Sequence, residues 1–249
     1  MPLDTPTAPS VAAPQSMLGR LRRFAQRKLA KRRQRHLPPE QVFADIYRCN
    51  AWKSGESISG LGSELSQTQQ LIETLPAWFK KLDVRRVIDV PCGDFHWMSR
   101  VDLSQVDYLG CDIVDELIQA NRRYERENVR FRKLDLLTDP LPPADLILCR
   151  DCLVHFSFAH IEQALENIAR SGARYLLTTT FTERADNQDI PTGRWRPLNL
   201  SAAPFSLAEP VATLVEHCTQ DDGQYADKTL ALWPIEALRQ RTRLHSDAA

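Results

Sequence analysis

The chain has 249 residues, 43% hydrophobic and 26% charged, which is the make-up of one globular domain with at most a small appendage. No apolar run approaches the roughly 20 residues that a bilayer-crossing helix needs, and the N-terminal stretch lacks the apolar core of a secretory leader. Six scattered cysteines suit free thiols in a reducing cytoplasm better than a disulfide framework.

A formal net charge of zero conceals an asymmetry. Residues 18 to 36 hold nine Lys/Arg and no acid, and Asp4 is the one acid before them. Taking these from totals of 32 and 32 leaves 23 basic and 31 acidic residues after position 36. The body is acidic, so no nucleic-acid partner is expected for it.

Residues 1 to 16 are rich in Pro, Ala, Thr and Ser and read as disordered. Residues 17 to 35 place Leu18, Leu21, Ala25 and Leu29 near one face of a basic helix. Such a helix suits peripheral contact with an anionic membrane, but its apolar face is narrow enough for a plain solvated helix. Pro38-Pro39 ends this tail. A helical cap over 37–83 is expected next, with helices at 40–48 and about 66–81. Between them lies NAWKSGESISGLGSE, too polar for core and too aromatic for a simple linker.

From position 84 to about 240 the pattern alternates strand and helix. RRVIDV, VDYLGCDIV, NVRFRKLDL, ADLILCRD and ARYLLTTTF read as strands. DELIQANRRYER and FAHIEQALENIARSG read as helices, the second closed by Gly172. PVATLVEHC and KTLALW, separated by the turn-rich TQDDGQYAD, predict a hairpin. Five β/α units and a strand pair predict a doubly wound, seven-stranded, mostly parallel sheet in a three-layer α/β/α arrangement.

In such a sheet the ligand crevice lies beyond the carboxyl ends of the strands. The first strand runs into Asp89-Val90-Pro91-Cys92-Gly93-Asp94. Asp112-Ile113 ends the second strand, 19 positions after Gly93, where an acid takes the hydroxyls of a ribose. Asp135-Leu136 ends the third. A dinucleotide site wants three spaced glycines, but here those positions read Pro91, Gly93 and His96, and Asp94 would repel a pyrophosphate. Each acid alone also fits an ordinary strand-end turn. Together they suit a phosphate-free nucleoside cation.

The stretch from about Val87 to Trp233 resembles the class I S-adenosylmethionine-dependent methyltransferases, which have a Rossmann-like fold. VIDVPCGD resembles the family's glycine-rich first motif, GCDIV its ribose-binding acid, LDLL its adenine-side acid and ADLILCRDCLVHF its fourth motif. NAWKSGESISGLGSE and NQDIPTGRWRPLNL are similar to segments of a bacterial group within it. The resemblance implies S-adenosyl-L-methionine as cofactor and a seventh strand running antiparallel at the sheet edge. Asp89, Pro91, Gly93, Asp94, Asp112, Ile113, Asp135, Leu136 and Arg150 would hold the cofactor. Pro91 departs from the family, which usually has glycine there.

Cys149-Arg150-Asp151-Cys152 and His155 close the fourth strand, facing the transferable methyl group in this fold. With no second Cys or His pair the cysteines read as fillers, and no metal is expected. Arg150, Asp151 and His155 are the catalytic candidates, with His155 as general base and Asp151 orienting it. A structural ion pair capping the next helix is the competing reading. The polar loop 182–204 reads as a lid or wall in which Asn187, Arg194 and Arg196, with Trp52 from the cap, meet the acceptor. O-methylation of a small polar or glycan-like acceptor is the expected activity. The alternative is a non-catalytic module of the same fold that docks through its basic tail.

Overall fold

The computed structural model describes residues 37–246, with side chains to position 241. Expectations for the tail of residues 1–36 lie outside the described residues. Helix α1 (Pro39–Arg48) starts with proline in its first turn, where the missing N–H is not needed. After a short irregular segment comes α2 (Leu65–Lys81). The remainder runs β1 (Arg86–Asp89), β2 (Asp107–Asp112), α3 (Asp115–Asn121), β3 (Val129–Lys133), β4 (Leu146–Cys149), α4 (Phe158–Arg170) and β5 (Tyr175–Phe181). β6 (Ala212–Val215), β7 (Lys228–Pro234) and α5 (Ile235–Ser246) complete it.

Each expected strand forms, in one sheet of order β3-β2-β1-β4-β5-β7-β6. β1 to β5 pair in parallel, and β7 runs antiparallel to both β5 and β6. The antiparallel strand is therefore one place in from the edge, which corrects the expectation that it lies at the edge. β6 closes the sheet because its hairpin partner β7 has its other side already occupied by β5.

Strand side chains alternate between two cores, as the period of two requires. Ile147 and Cys149 join Ile161, Leu165 and Ile168 of α4 and Leu238 of α5 on one face. Leu146 and Leu148 join Leu71, Leu75 and Phe79 of α2 on the other. Both faces of the central strands are covered, which gives the three-layer Rossmann-like arrangement. α4 is capped by Ser157, whose hydroxyl accepts from the His160 N–H at 3.3 Å. It closes on Ser171, whose hydroxyl donates to the Ile168 carbonyl at 2.6 Å. Gly172 is not among the residues of positive φ, so it does not form the glycine cap that the sequence suggests. The sequence reading also missed α5, whose polar stretch EALRQRTR hides its few buried contacts.

Phe131 is wedged among Phe95 and Tyr108, with ring centroids at 5.0 and 6.3 Å. A Cβ on Gly110 of β2 would stand 2.6 Å from the Phe131 ring. Gly110→Ala is expected to lower stability by about 1–3 kcal/mol through this overpacking. A urea midpoint equal to that of the parent protein would contradict the tight strand contact.

Candidate functional site

A crevice of about 320 Å³ opens at the carboxyl ends of β1, β2, β4 and β5. Asp89, Pro91, Gly93, Asp94, Asp112, Ile113, Asp135, Leu136, Arg150, Asp151, His155 and Trp52 all line it. Asn187, Arg194 and Arg196 do not.

The turn after β1 is folded upon itself. The N–H of Cys92 donates to the Cys111 carbonyl at 2.8 Å, and that of Phe95 to the Cys92 carbonyl at 3.2 Å. Gly93 donates to Asp112 Oδ2 at 3.2 Å, Asp94 to Ser59 Oγ at 2.9 Å and His96 to Asp94 Oδ1 at 3.3 Å. Every backbone donor from Cys92 to His96 is thus used inside the protein, leaving none to cradle a phosphate. Gly93 has φ of 54°, and a Cβ there would collide with the Ser59 hydroxyl, so glycine is required.

Asp94 has a different task from the cofactor contact expected of it. Its carboxylate accepts from Ser57 Oγ at 2.9 Å, the Ile58 N–H at 3.0 Å and Ser59 Oγ at 3.1 Å. It pins the Gly- and Ser-rich cap segment over the turn, with its acceptor sites taken by protein.

Asp89 and Asp112 are buried. Burial pushes Asp89 up to about 7, against the 2.5 Å hydrogen bond that it accepts from the Tyr108 hydroxyl. Burial likewise raises Asp112 to about 6, opposed by the Val114 and Gly93 amides. Asp135 accepts from the Leu137 N–H at 2.9 Å and the Thr138 hydroxyl at 3.2 Å, so it also braces its own turn. Val114, Leu117, Leu134 and Leu136 form an apolar wall between these acids. Carboxylates for hydroxyls and a cation, an apolar slot and no free phosphate cradle suit S-adenosylmethionine, the ligand that the sequence resemblance implies.

At the other end of the crevice Arg150 is buried, with its guanidinium on Glu216 at 2.6 Å, Asp151 at 3.3 Å and the Gly62 carbonyl at 2.7 Å. Burial disfavours its charge, but Glu216 and Asp151 outweigh that and raise its pKa. Arg150 therefore acts as a brace between strand ends and cap, a structural ion pair made across the sheet with Glu216 and not over the next helix, where the sequence alternative had put it. Lys228 pairs with Asp151 at 2.6 Å and with Glu216 at 3.2 Å. Burial would raise the Asp151 pKa, yet Lys228 and Arg150 hold it well below its ordinary value.

His155 is not hydrogen-bonded to Asp151, contrary to expectation. Residues Leu153–His155 form a 3₁₀ turn and α4 begins only at Phe158, so the spacing of four does not align the two side chains. His155 Nδ1 instead meets the Arg194 carbonyl at 3.0 Å, and its ring packs on Trp52 with centroids 5.1 Å apart. A carbonyl only accepts, so Nδ1 carries the proton and Nε2 keeps its lone pair. Burial lowers the imidazole pKa to about 4, with Asp151 pulling the other way.

The loop between β5 and β6 is a packed wall. Arg196 is buried and donates to the Leu153 and Phe156 carbonyls at 2.9 and 3.0 Å. Asn187 donates to the Asn199 and Ala203 carbonyls, each at 2.8 Å. Arg194 is exposed and contributes only its carbonyl. The Asn187 and Arg196 side chains satisfy backbone carbonyls, which explains why they do not line the crevice. Trp195 lines the crevice instead, in an edge-to-face cluster with Phe181 and Tyr225. Sequence reasoning also missed Glu216 and Lys228. The predicted hairpin was the available signal, since its turn falls at the crevice end of the sheet and brings both charges there.

Residues 88–173 match a family model described as a methyltransferase domain. Over that stretch, from β1 to the end of α4, the chain is similar to a methyltransferase domain. No curated protein matches it in sequence. Among solved structures it is similar to magnesium protoporphyrin IX methyltransferase of Synechocystis PCC 6803, at 15% identity and a TM-score of 0.47, covering 61% of this chain and 81% of that one. Human N-acetylserotonin methyltransferase is 18% identical with a TM-score of 0.43, covering 58% and 42%. The methyltransferase domain of bacterial CtHen1-C is 16% identical with a TM-score of 0.41, covering 46% and 66%. The chain thus spans 66% of the length of the CtHen1 domain and less than half of the human enzyme.

Asp94→Ala removes the acceptor for the Ile58 N–H and two serine hydroxyls. The cap contact is expected to weaken by about 1–3 kcal/mol, seen as faster amide exchange or proteolysis at residues 57–60 with the sheet still protected. Unchanged exchange there would show that Asp94 does not hold the cap.

Proposed function

We propose that the crevice binds S-adenosyl-L-methionine and that the protein methylates an oxygen of a small polar or glycan-like acceptor in the cytosol. The observation that carries this reading is the pairing of buried Asp89 and Asp112 with a turn whose backbone donors are all occupied. Such a site favours a cation with a ribose and disfavours a dinucleotide.

Asp112 would take the ribose hydroxyls and Asp135 the adenine side, with Ile113 and Leu136 against the base. Asp89 would face the cationic end. When bound, the cofactor supplies an electrophilic methyl group on sulfonium sulfur. His155 Nε2 would accept the proton that the acceptor hydroxyl loses, and the Arg194 carbonyl, 3.0 Å from Nδ1, supports the tautomer that this role needs. Trp52 and Trp195 supply walls that exclude water and stack on the acceptor.

Three outcomes are expected. Asp112→Ala weakens cofactor binding by about 1–3 kcal/mol in calorimetry. Binding also releases protons, and affinity falls as pH drops from 8 to 5, because a cationic ligand needs ionised carboxylates and Asp89 and Asp112 protonate near about 7 and about 6. No heat with S-adenosylmethionine or its demethylated product, but heat with NAD, would overturn the cofactor reading. His155→Ala lowers turnover by about 10²–10⁴ with cofactor affinity kept. At saturating cofactor the parent rate stays flat from pH 8 down to about 5, since the base is lost only near pH 4. Parent-like turnover in the variant would remove His155 from the chemistry.

A further inference from the structure

Lys228 is one of two cations and two anions clustered at the end of the sheet, where Arg150, Glu216 and Lys228 are buried and Asp151 is half-buried. Its ammonium has three N–H bonds, of which two point to Asp151 Oδ2 at 2.6 Å and Glu216 Oε2 at 3.2 Å. The third has no partner among the described residues, and Lys228 lines the crevice. Asp151 Oδ1 is nearly as free, with one contact of 3.4 Å from the Thr179 hydroxyl. A donor and an acceptor thus stand side by side.

The cap meets this pair with bare glycine backbone. A Cβ on Gly62 would stand 3.1 Å from Asp151 Oδ2 and 3.4 Å from Lys228 Nζ. Any larger residue there would sit on both charged groups. His155 feels the charges of Asp151 and Lys228, and its ring lies against Trp52, so the proton acceptor and an aromatic surface are close by.

The chemistry of this pair selects its ligand. Arg150, Lys228, Asp151 and Glu216 sum to no net charge, so an anionic acceptor gains nothing from them and meets Asp151 and Asp221 on the crevice wall. A neutral hydroxyl both donates and accepts, and it fits one carboxylate oxygen and one ammonium N–H together. Apolar C–H faces of a ring suit Trp52 and Trp195. Resting on the methyltransferase reading above, we propose that the acceptor is a neutral vicinal diol of carbohydrate type. Lys228 and Asp151 hold one hydroxyl while its neighbour is presented to His155. Lys228 is then a specificity-determining residue.

The test titrates cis-1,2-cyclohexanediol, with cyclohexanol as its one-hydroxyl control, into the full chain saturated with S-adenosylhomocysteine, followed by ligand-observed NMR. The diol is expected to bind about tenfold or more tightly than the mono-ol, and Lys228→Met is expected to erase that preference while S-adenosylhomocysteine affinity stays within about twofold. Gly62→Ala, which covers the pair without removing a charge, is expected to do the same and decides the matter should Lys228→Met not fold. Equal binding of diol and mono-ol, absence of diol binding, or a preference that survives both variants would overturn the inference. Failure of the parent protein to bind S-adenosylhomocysteine would instead overturn the cofactor reading beneath it.

Discussion

The ion pair between Arg150 and Glu216 ties together parts of the chain that lie far apart in sequence. Arg150 ends β4, Glu216 follows β6, and the same guanidinium reaches the cap at Gly62. Side chains this well sealed from water lose hydration worth several kcal/mol per ion, so the pair survives only because each charge has several partners. Lys228 and Asp151 complete the set and leave it neutral. Removing any one member strands a buried charge, which explains why the hairpin, the β4 end and the cap keep a fixed relation. The same network draws Asp151 away from His155 and so separates the two residues that their spacing in sequence had linked.

At the opposite end the fixed element is a turn rather than a charge. Five consecutive amides are satisfied internally, and Asp94 spends its carboxylate on the cap. A turn in this state offers a shaped apolar surface bounded by carboxylates. The electrostatics follow from burial: Asp89 and Asp112 are held out of water, and for Asp89 that cost outweighs the pull of the Tyr108 hydroxyl and Arg150, so both retain protons at higher pH than free carboxylates do. A cationic nucleoside relieves that cost, whereas a pyrophosphate would add to it.

The sheet was legible in the sequence because buried parallel strands announce themselves as short apolar runs and amphipathic α4 by its period. Gly93 and Asp112 were legible for the same local reasons. What escaped depends on contacts across long separations. The partners of Asp94 are Ser57, Ile58 and Ser59, well upstream, and nothing near Asp94 marks them. Glu216 and Lys228 look like ordinary strand-end charges until the hairpin folds them onto β4. Asn187 and Arg196 looked like ligand contacts because polar side chains in a loop do. Irregular backbone must also have its carbonyls satisfied: Asn187 does that within its own loop, and Arg196 does it for the turn after β4.

The central claim is that the crevice is a site for S-adenosylmethionine. A crystal structure of the full chain grown with S-adenosylhomocysteine tests it most directly. The account predicts both ribose hydroxyls within about 3 Å of the Asp112 carboxylate, the adenine between Ile113 and Leu136, and the sulfur toward His155. A nucleoside bound elsewhere on the protein, or one whose ribose is turned away from Asp112, would contradict it.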